Sequence, residues 1–517
     1  MEDPDAFLSS AYARLRAATA GASTTTTGAP RTLPTPAQLA TARAALPDPA
    51  SPTYLAPHGA DATLSHVLGA IAPALTGQNL SGRYFGFVTG SALPVAEAAD
   101  NVAAAFDQNV QVHLPAQTIA TEVEDAALGM VVRLLGLDGE GVEWEGRTFT
   151  TGATASNVLG LACGREAVVG ARLPLSREKG EEEGGVGELG ILKACALAGV
   201  KEVRVLTSMG HSSLAKAASV VGLGRSAVEE LPHSEAEPWR LDLDAVERAL
   251  QREGVANIIA VSAGEVNTGR FATTGLEDMK RLRVSADKYG AWIHVDGAFG
   301  IFARALPDTS EFARLRESAA GLELADSITV DGHKLLNVPY DNGIFLTRKA
   351  STLTSVFQNP NAAYLSPGGP GASTTIQSPL NVGLENSRRF RALPVYAVLL
   401  SEGRAGIAAM LARMVLLARG IAAAVRESPD YVLLPDEADV SDTHIIVLFR
   451  ARDDGLNEVL TQRIQEGAEW YVSGTKWRGQ TACRVAVASW RVCVEEDLEL
   501  VKGSLERMAR EYRDSVR

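Results

Sequence analysis

The segment Ala291-Trp292-Ile293-His294-Val295-Asp296-Gly297-Ala298-Phe299-Gly300 carries an apolar, strand-like run into an aspartate and then into small residues. A second run, Ser327-Ile328-Thr329-Val330-Asp331-Gly332-His333-Lys334, leads into a His-Lys pair. A cofactor built on a pyridine ring and used as an electron sink needs two such groups. A carboxylate keeps the ring nitrogen protonated, and a lysine amine joins the cofactor aldehyde as an imine. Alone, Asp296 reads more readily as a helix cap and Lys334 as a snorkelling surface lysine. Together, at the ends of consecutive predicted strands, they favour the cofactor chemistry.

Such a cofactor carries a phosphate, and Thr150-Thr151-Gly152-Ala153-Thr154-Ala155-Ser156-Asn157 offers a place for it. Small and hydroxyl residues run into Val158–Ala162, which reads as a helix, so free N–H groups and the Thr154 and Ser156 hydroxyls suit an anion. His211, in Gly210-His211-Ser212-Ser213, follows another strand-like run and could stack on the ring. Gly222-Leu223-Gly224-Arg225-Ser226-Ala227 fits a dinucleotide fingerprint but follows a helical stretch, Leu214–Val221. Its glycines read as a helix end instead.

These residues need a scaffold that brings strand ends together. Short apolar runs at Val203–Thr207, Asn257–Ser262, Trp292–Val295, Ser327–Val330 and Gly343–Thr347 alternate with helical stretches such as Gly275–Tyr289. That alternation predicts βα units around a mostly parallel sheet, whose sites lie at the carboxyl ends of strands. Residues 1–114 read as an N-terminal arm and helical segment, 115–394 as a large α/β domain and 395–517 as a small α+β domain. The charged, Gly-rich run 176–185 interrupts the pattern as a surface loop.

Composition narrows the function further. With 517 residues, 46% hydrophobic and 21% charged, the chain is long enough for several globular domains. A net charge of −13 and no Lys/Arg run argue against nucleic acid. Cys163, Cys195, Cys483 and Cys493 lack metal-ligand spacing, so no metal site is expected. No apolar run is expected to reach the roughly 18 residues of a membrane span, and the acidic start, Glu2-Asp3-Pro4-Asp5, is unlike a secretory signal. A cytoplasmic protein with reduced thiols is the expectation.

Taken together, the motifs resemble the pyridoxal-phosphate-dependent group II amino-acid decarboxylases, the family of aromatic-amino-acid and glutamate decarboxylases. The likeness runs from Arg83 to the C-terminus through Gly152–Asn157, His211-Ser212-Ser213, His294–Ala298, Asp331–Lys334 and Asn386–Leu393. It implies fold type I, pyridoxal phosphate as cofactor, and a homodimer with shared active sites. It also implies Lys334 as the cofactor-linking lysine, Asp296 as partner of the pyridine nitrogen, and His211 as the stacking histidine. Ala155, Ser156 and His333 would hold phosphate, beside Thr154 and Ala298. Asn359–Leu365 resembles the family's mobile loop, whose tyrosine returns a proton to the substrate carbon once carbon dioxide has left. Tyr364 stands at that position and favours an amine over an aldehyde product.

The substrate is less legible. Arg83-Tyr84-Phe85-Gly86-Phe87 resembles a segment lining the family's substrate entrance, and Tyr84, Phe85, Phe87, Trp292, Phe299 and Phe302 could form an aromatic pocket. Glu265 stands where better-known members have Thr. The run Ser473–Gly479, with Trp477, looks closer to a less-characterised microbial branch. Aromatic or large apolar amino acids are expected. The alternatives are aldehyde synthesis or another reaction on the same scaffold, and an inactive dimeric binding module.

Overall fold

In the computed structural model the described residues are 3–25, 28–139, 141–174, 184–359, 376–435 and 439–516. Among these residues, twelve strands form two sheets. The larger holds β2 (Gly146–Thr150), β3 (Glu202–Thr207), β4 (Val228–Glu230), β5 (Val255–Ser262), β6 (Trp292–Asp296), β7 (Ser327–Asp331) and β8 (Gly343–Thr347). Its order is β2-β8-β7-β6-β5-β3-β4. The pairs among β3 to β7 are parallel, whereas β8 runs antiparallel to both β7 and β2.

The expected α/β sheet is therefore present, and its strands are buried on both faces. Ile259, Val261, Ile293, Val295, Ile328 and Val330 join the main core on one side. Ile258, Ala260, Trp292 and Phe345 pack under the Ala153–Gly170 helix on the other. Two covered faces explain why these strands read as unbroken apolar runs without alternation. Full burial of each such side chain contributes about 1.5–3 kcal/mol.

The smaller sheet has the order β1-β11-β12-β10-β9, with β1 (Tyr84–Phe85), β9 (Tyr431–Leu434), β10 (Ile446–Ala451), β11 (Tyr471–Trp477) and β12 (Gln480–Ala486). Its edge strand β1 comes from far upstream and pairs parallel with β11. The Pro4–Ala20 helix of the arm buries none of its residues against the chain.

One expectation needs correction. A stretch of the Ala392–Glu427 helix is, by length and composition, apolar enough to cross a membrane. Arginines at 404, 413 and 419 interrupt its apolar run. Here 56% of that stretch is buried in the protein, and Ile407, Leu411, Val415 and Ile421 pack into the main core. Arg404 and Arg419 reach out to the Leu134 and Glu311 carbonyls, at 2.9 and 2.7 Å. Gly403, at φ 57°, breaks the helix into two segments. The charged insert lies, over 176–183, outside the described residues.

Candidate active site

The carboxyl ends of β5, β6 and β7 are in register, with Ser262 opposite Asp296 and Asp296 opposite Thr329. Above them opens a cavity of about 430 Å³, lined by Thr151 to Ala155, His211, Asp296, Ala298, His333 and Lys334. A larger cavity, about 650 Å³ between Trp239, Arg270 and Arg314, shares none of these residues.

Lys334 stands on the short Gly332–Leu335 helix that continues β7. Its Nζ lies 2.9 Å from the Asp331 carboxylate and 5.7 Å from the centre of the Phe299 ring. Asp331 also accepts the Ala153 N–H at 2.6 Å, tying the lysine turn to the start of the Ala153–Gly170 helix. Asp296 accepts from Asn157 Nδ2 at 2.9 Å and from the Ala298 N–H at 3.3 Å. His211 caps the Ser212–Val220 helix, its Nδ1 accepting the Ser213 N–H at 3.1 Å. Burial lowers the pKa of His211 against the opposing pull of Asp296, so the ring is neutral at pH 7. His333 is held below its ordinary value for the same reason, and its Nδ1 accepts the Asn342 N–H at 3.2 Å.

The helix at the proposed phosphate end starts at Ala153, earlier than Val158. That start changes which side chains face the cavity. Thr154 and Ala155 lie in the first turn, where N–H groups have no carbonyl one turn behind them in the helix. Ser156 is turned away. Its fully buried hydroxyl lies 2.7 Å from Thr150 Oγ1 and donates to the Ile344 carbonyl at 3.1 Å. The hydroxyl residues lining the cavity are Thr151, Thr154 and Ser262 instead. These groups fit pyridoxal phosphate, with N–H donors for a phosphate, a small Ala298 beside a flat ring, and a carboxylate and an amine at the same strand ends.

Several expected substrate residues lie elsewhere. Glu265 is buried and spends its carboxylate on a turn, accepting from Asn267 N and Nδ2 and from Thr268 N and Oγ1 at 2.7–3.2 Å. Tyr84 is held in β1, stacked on Tyr471 at 4.5 Å, and burial beside that phenol pushes its pKa up to about 12. Phe85 packs against Trp470, and Trp477 sits in a separate cluster with Met209 and Trp239. Trp292 and Phe302 are core residues. Of the aromatic candidates, Phe87 and Phe299 do line the cavity. Tyr364 lies outside the described residues.

Val88 and Arg484 line the cavity without having been singled out. Arg484 is buried on β12 and donates to the Val266 carbonyl at 3.0 Å. The available signal was an arginine opening the otherwise apolar run Arg484-Val485-Ala486-Val487-Ala488.

A parallel sheet that gathers a lysine, an aspartate and a helix N-terminus around one cavity is the architecture of a pyridoxal-phosphate enzyme. The pyridoxal-dependent decarboxylase conserved domain matches residues 87–452. The chain belongs to that family. It is 28% identical over 312 residues to L-2,4-diaminobutyrate decarboxylase of Acinetobacter baumannii, covering 59% of this chain and 56% of that protein. It is 25% identical over 454 residues to tryptophan decarboxylase 1 of Oryza sativa subsp. japonica, covering 85% and 82%. Thus the match spans little more than half the length of the first relative. The solved structure of Oryza sativa TDC with PLP and tryptamine superposes over 99% of both chains, with a TM-score of 0.79 at 20% identity.

Proposed function

We propose that the chain removes the α-carboxylate of an L-amino acid as carbon dioxide and releases the amine. The observation that carries this is the convergence of Lys334, Asp296, His211 and the Ala153–Gly170 helix start on one cavity. Pyridoxal phosphate, when bound, supplies the sink for the electrons that carbon dioxide leaves behind. Lys334 would hold the cofactor through its amine. Asp296 would pair with the ring nitrogen and keep its proton in place. His211, neutral, would lie against the ring, while Thr154, Ala155 and His333 would hold the phosphate. The 115–394 segment carries these groups, and the 395–517 segment closes the cavity through Arg484.

Arg484, the one arginine lining the cavity among the described residues, offers a cation for a substrate carboxylate. Arg484→Met keeps an unbranched stem and removes the charge. Loss of a charge-assisted hydrogen bond of about 1.5–3 kcal/mol should lower kcat/KM roughly 10- to 100-fold. Steady-state kinetics with unchanged kcat/KM would remove Arg484 from the substrate site.

Phe87, Val88 and Phe299 give the cavity an apolar side, which supports an aromatic or large apolar substrate. The tryptophan decarboxylase relative agrees with this, and the diaminobutyrate relative is the reason to test polar amino acids beside them. Incubation with each standard amino acid and with diaminobutyrate, scored for carbon dioxide and amine, tests the proposal. Amine from an aromatic substrate supports it; carbon dioxide from none of them sinks it.

Tyr364 is the proton donor in this scheme. In Tyr364→Phe carbon dioxide should still leave, because bond cleavage does not use the hydroxyl. A missing general acid lowers amine formation by about 100-fold or more. Oxygen and water should then be consumed, with aldehyde, ammonia and hydrogen peroxide released in place of the amine. Parental amine output with no aldehyde, measured by chromatography, would dismiss the role.

A homodimer accords with apolar side chains left exposed along the N-terminal half, among them Leu8, Tyr12, Leu55 and Phe106. Sedimentation equilibrium tests it, and a single species of 54.5 kDa would refute it. A cytoplasmic location accords with four cysteines that are all free thiols. Cell fractionation decides that point, and recovery with an envelope marker would overturn it.

A further inference from the structure

A line of polar side chains, fully buried at Ser327, His294, Asn157 and Thr329, runs from the middle of the large sheet to the cofactor cavity. Trp292 Nε1 donates to Ser327 Oγ at 2.9 Å, and Ser327 Oγ lies 2.8 Å from His294 Nδ1. His294 Nε2 lies 3.0 Å from Asn157 Oδ1, which also accepts from Thr329 Oγ1 at 2.9 Å. The Asn157 amide then donates twice, to Asp296 Oδ2 at 2.9 Å and to Ser213 Oγ at 3.2 Å. Ser213 Oγ lies 2.7 Å from His211 Nδ1.

The direction of this chain is determined at both ends. An indole N–H can only donate, and an ionised carboxylate can only accept. Asn157 must therefore turn its NH₂ toward Asp296 and its oxygen toward His294. That oxygen requires a proton on His294 Nε2, which leaves Nδ1 to accept from Ser327. Burial pushes the pKa of His294 down to about 4, consistent with a single neutral tautomer at pH 7. The helix is shaped to admit this ring, since a Cβ at Gly160 would lie 2.3 Å from His294 Cε1.

We infer that Asn157 is a positioning residue for the cofactor, aligning Asp296 and, through Ser213, His211 with one amide. The orientation of that amide is set from behind by His294 and Ser327, neither of which lines the cavity. The inference rests on the roles proposed above for Asp296 and His211.

The test uses the full-length, cofactor-loaded protein and its dissociation constant for pyridoxal phosphate. Asn157→Leu keeps the branched outline of the side chain and removes both donors, and should weaken cofactor binding about tenfold or more. Ser327→Ala acts at the far end and should weaken it severalfold. Because both changes break one line, the double variant should bind no more weakly than Asn157→Leu alone; independent packing effects would multiply. Imidazole ¹⁵N shifts should show His294 as the Nε2–H tautomer in the parent and as a mixture in Ser327→Ala.

Parental affinity and an unchanged His294 tautomer in Ser327→Ala would overturn the inference, as would multiplying effects. If Asn157→Leu does not fold, the affinity and tautomer of Ser327→Ala decide alone. Failure of the underlying cofactor assignment would look different. It would show in the parental protein, as a visible absorbance that does not depend on Lys334.

Discussion

Lys334→Ala should have no visible cofactor absorbance that borohydride can remove, and turnover at background. Lys334 is the one lysine among the described residues lining the cavity, so no neighbouring amine can replace it. The fold should survive. The substitution removes the 2.9 Å contact with Asp331, but Asp331 keeps the Ala153 N–H at 2.6 Å. Spectrophotometry, a decarboxylation assay and a thermal melt together check this. A variant that kept both absorbance and activity would overturn the whole site assignment.

Asp296→Asn should retain cofactor, since Lys334 and the phosphate end are untouched, yet lose about 10²- to 10³-fold in kcat. That is the scale of removing one preorganised electrostatic group. An amide cannot hold the ring nitrogen protonated as a carboxylate does, so the electron sink weakens. A second consequence follows from the hydrogen bonds. Asp296 accepts from two donors, Asn157 Nδ2 and the Ala298 N–H. An asparagine offers one acceptor and one donor in those directions, so one donor would face another. Leaving a buried donor unsatisfied costs about 1–3 kcal/mol, which a thermal melt should register as a lower Tm. Near-parental kcat would assign Asp296 to structure alone.

Much of the large sheet was legible because its strands are covered on both faces and so appear as unbroken apolar runs. The runs at Trp292 and Ser327 begin at the same residues as β6 and β7. β11, Tyr471–Trp477, escaped notice, since its pattern of buried and exposed residues is irregular and contains Gly474. The pairing of β1 with β11 could not be read at all, because its partner lies far away in the chain.

What the sequence by itself determined is the set of reactive residue types and their order along the chain: a carboxylate and a lysine at consecutive strand ends, a small-residue turn, a loop histidine. Local pattern suffices there, because strand runs and turn residues report on their own neighbourhood. Which atoms face the cavity was decided by tertiary structure. Starting the helix at Ala153 turns Ser156 into the core, as neighbouring residues on a helix point about 100° apart. Glu265 is consumed by its own turn, and Arg484 arrives from a second sheet. The amide of Asn157 acquires its direction only when an indole on β6 and a carboxylate at the end of that strand fix the two ends of one hydrogen-bonded line.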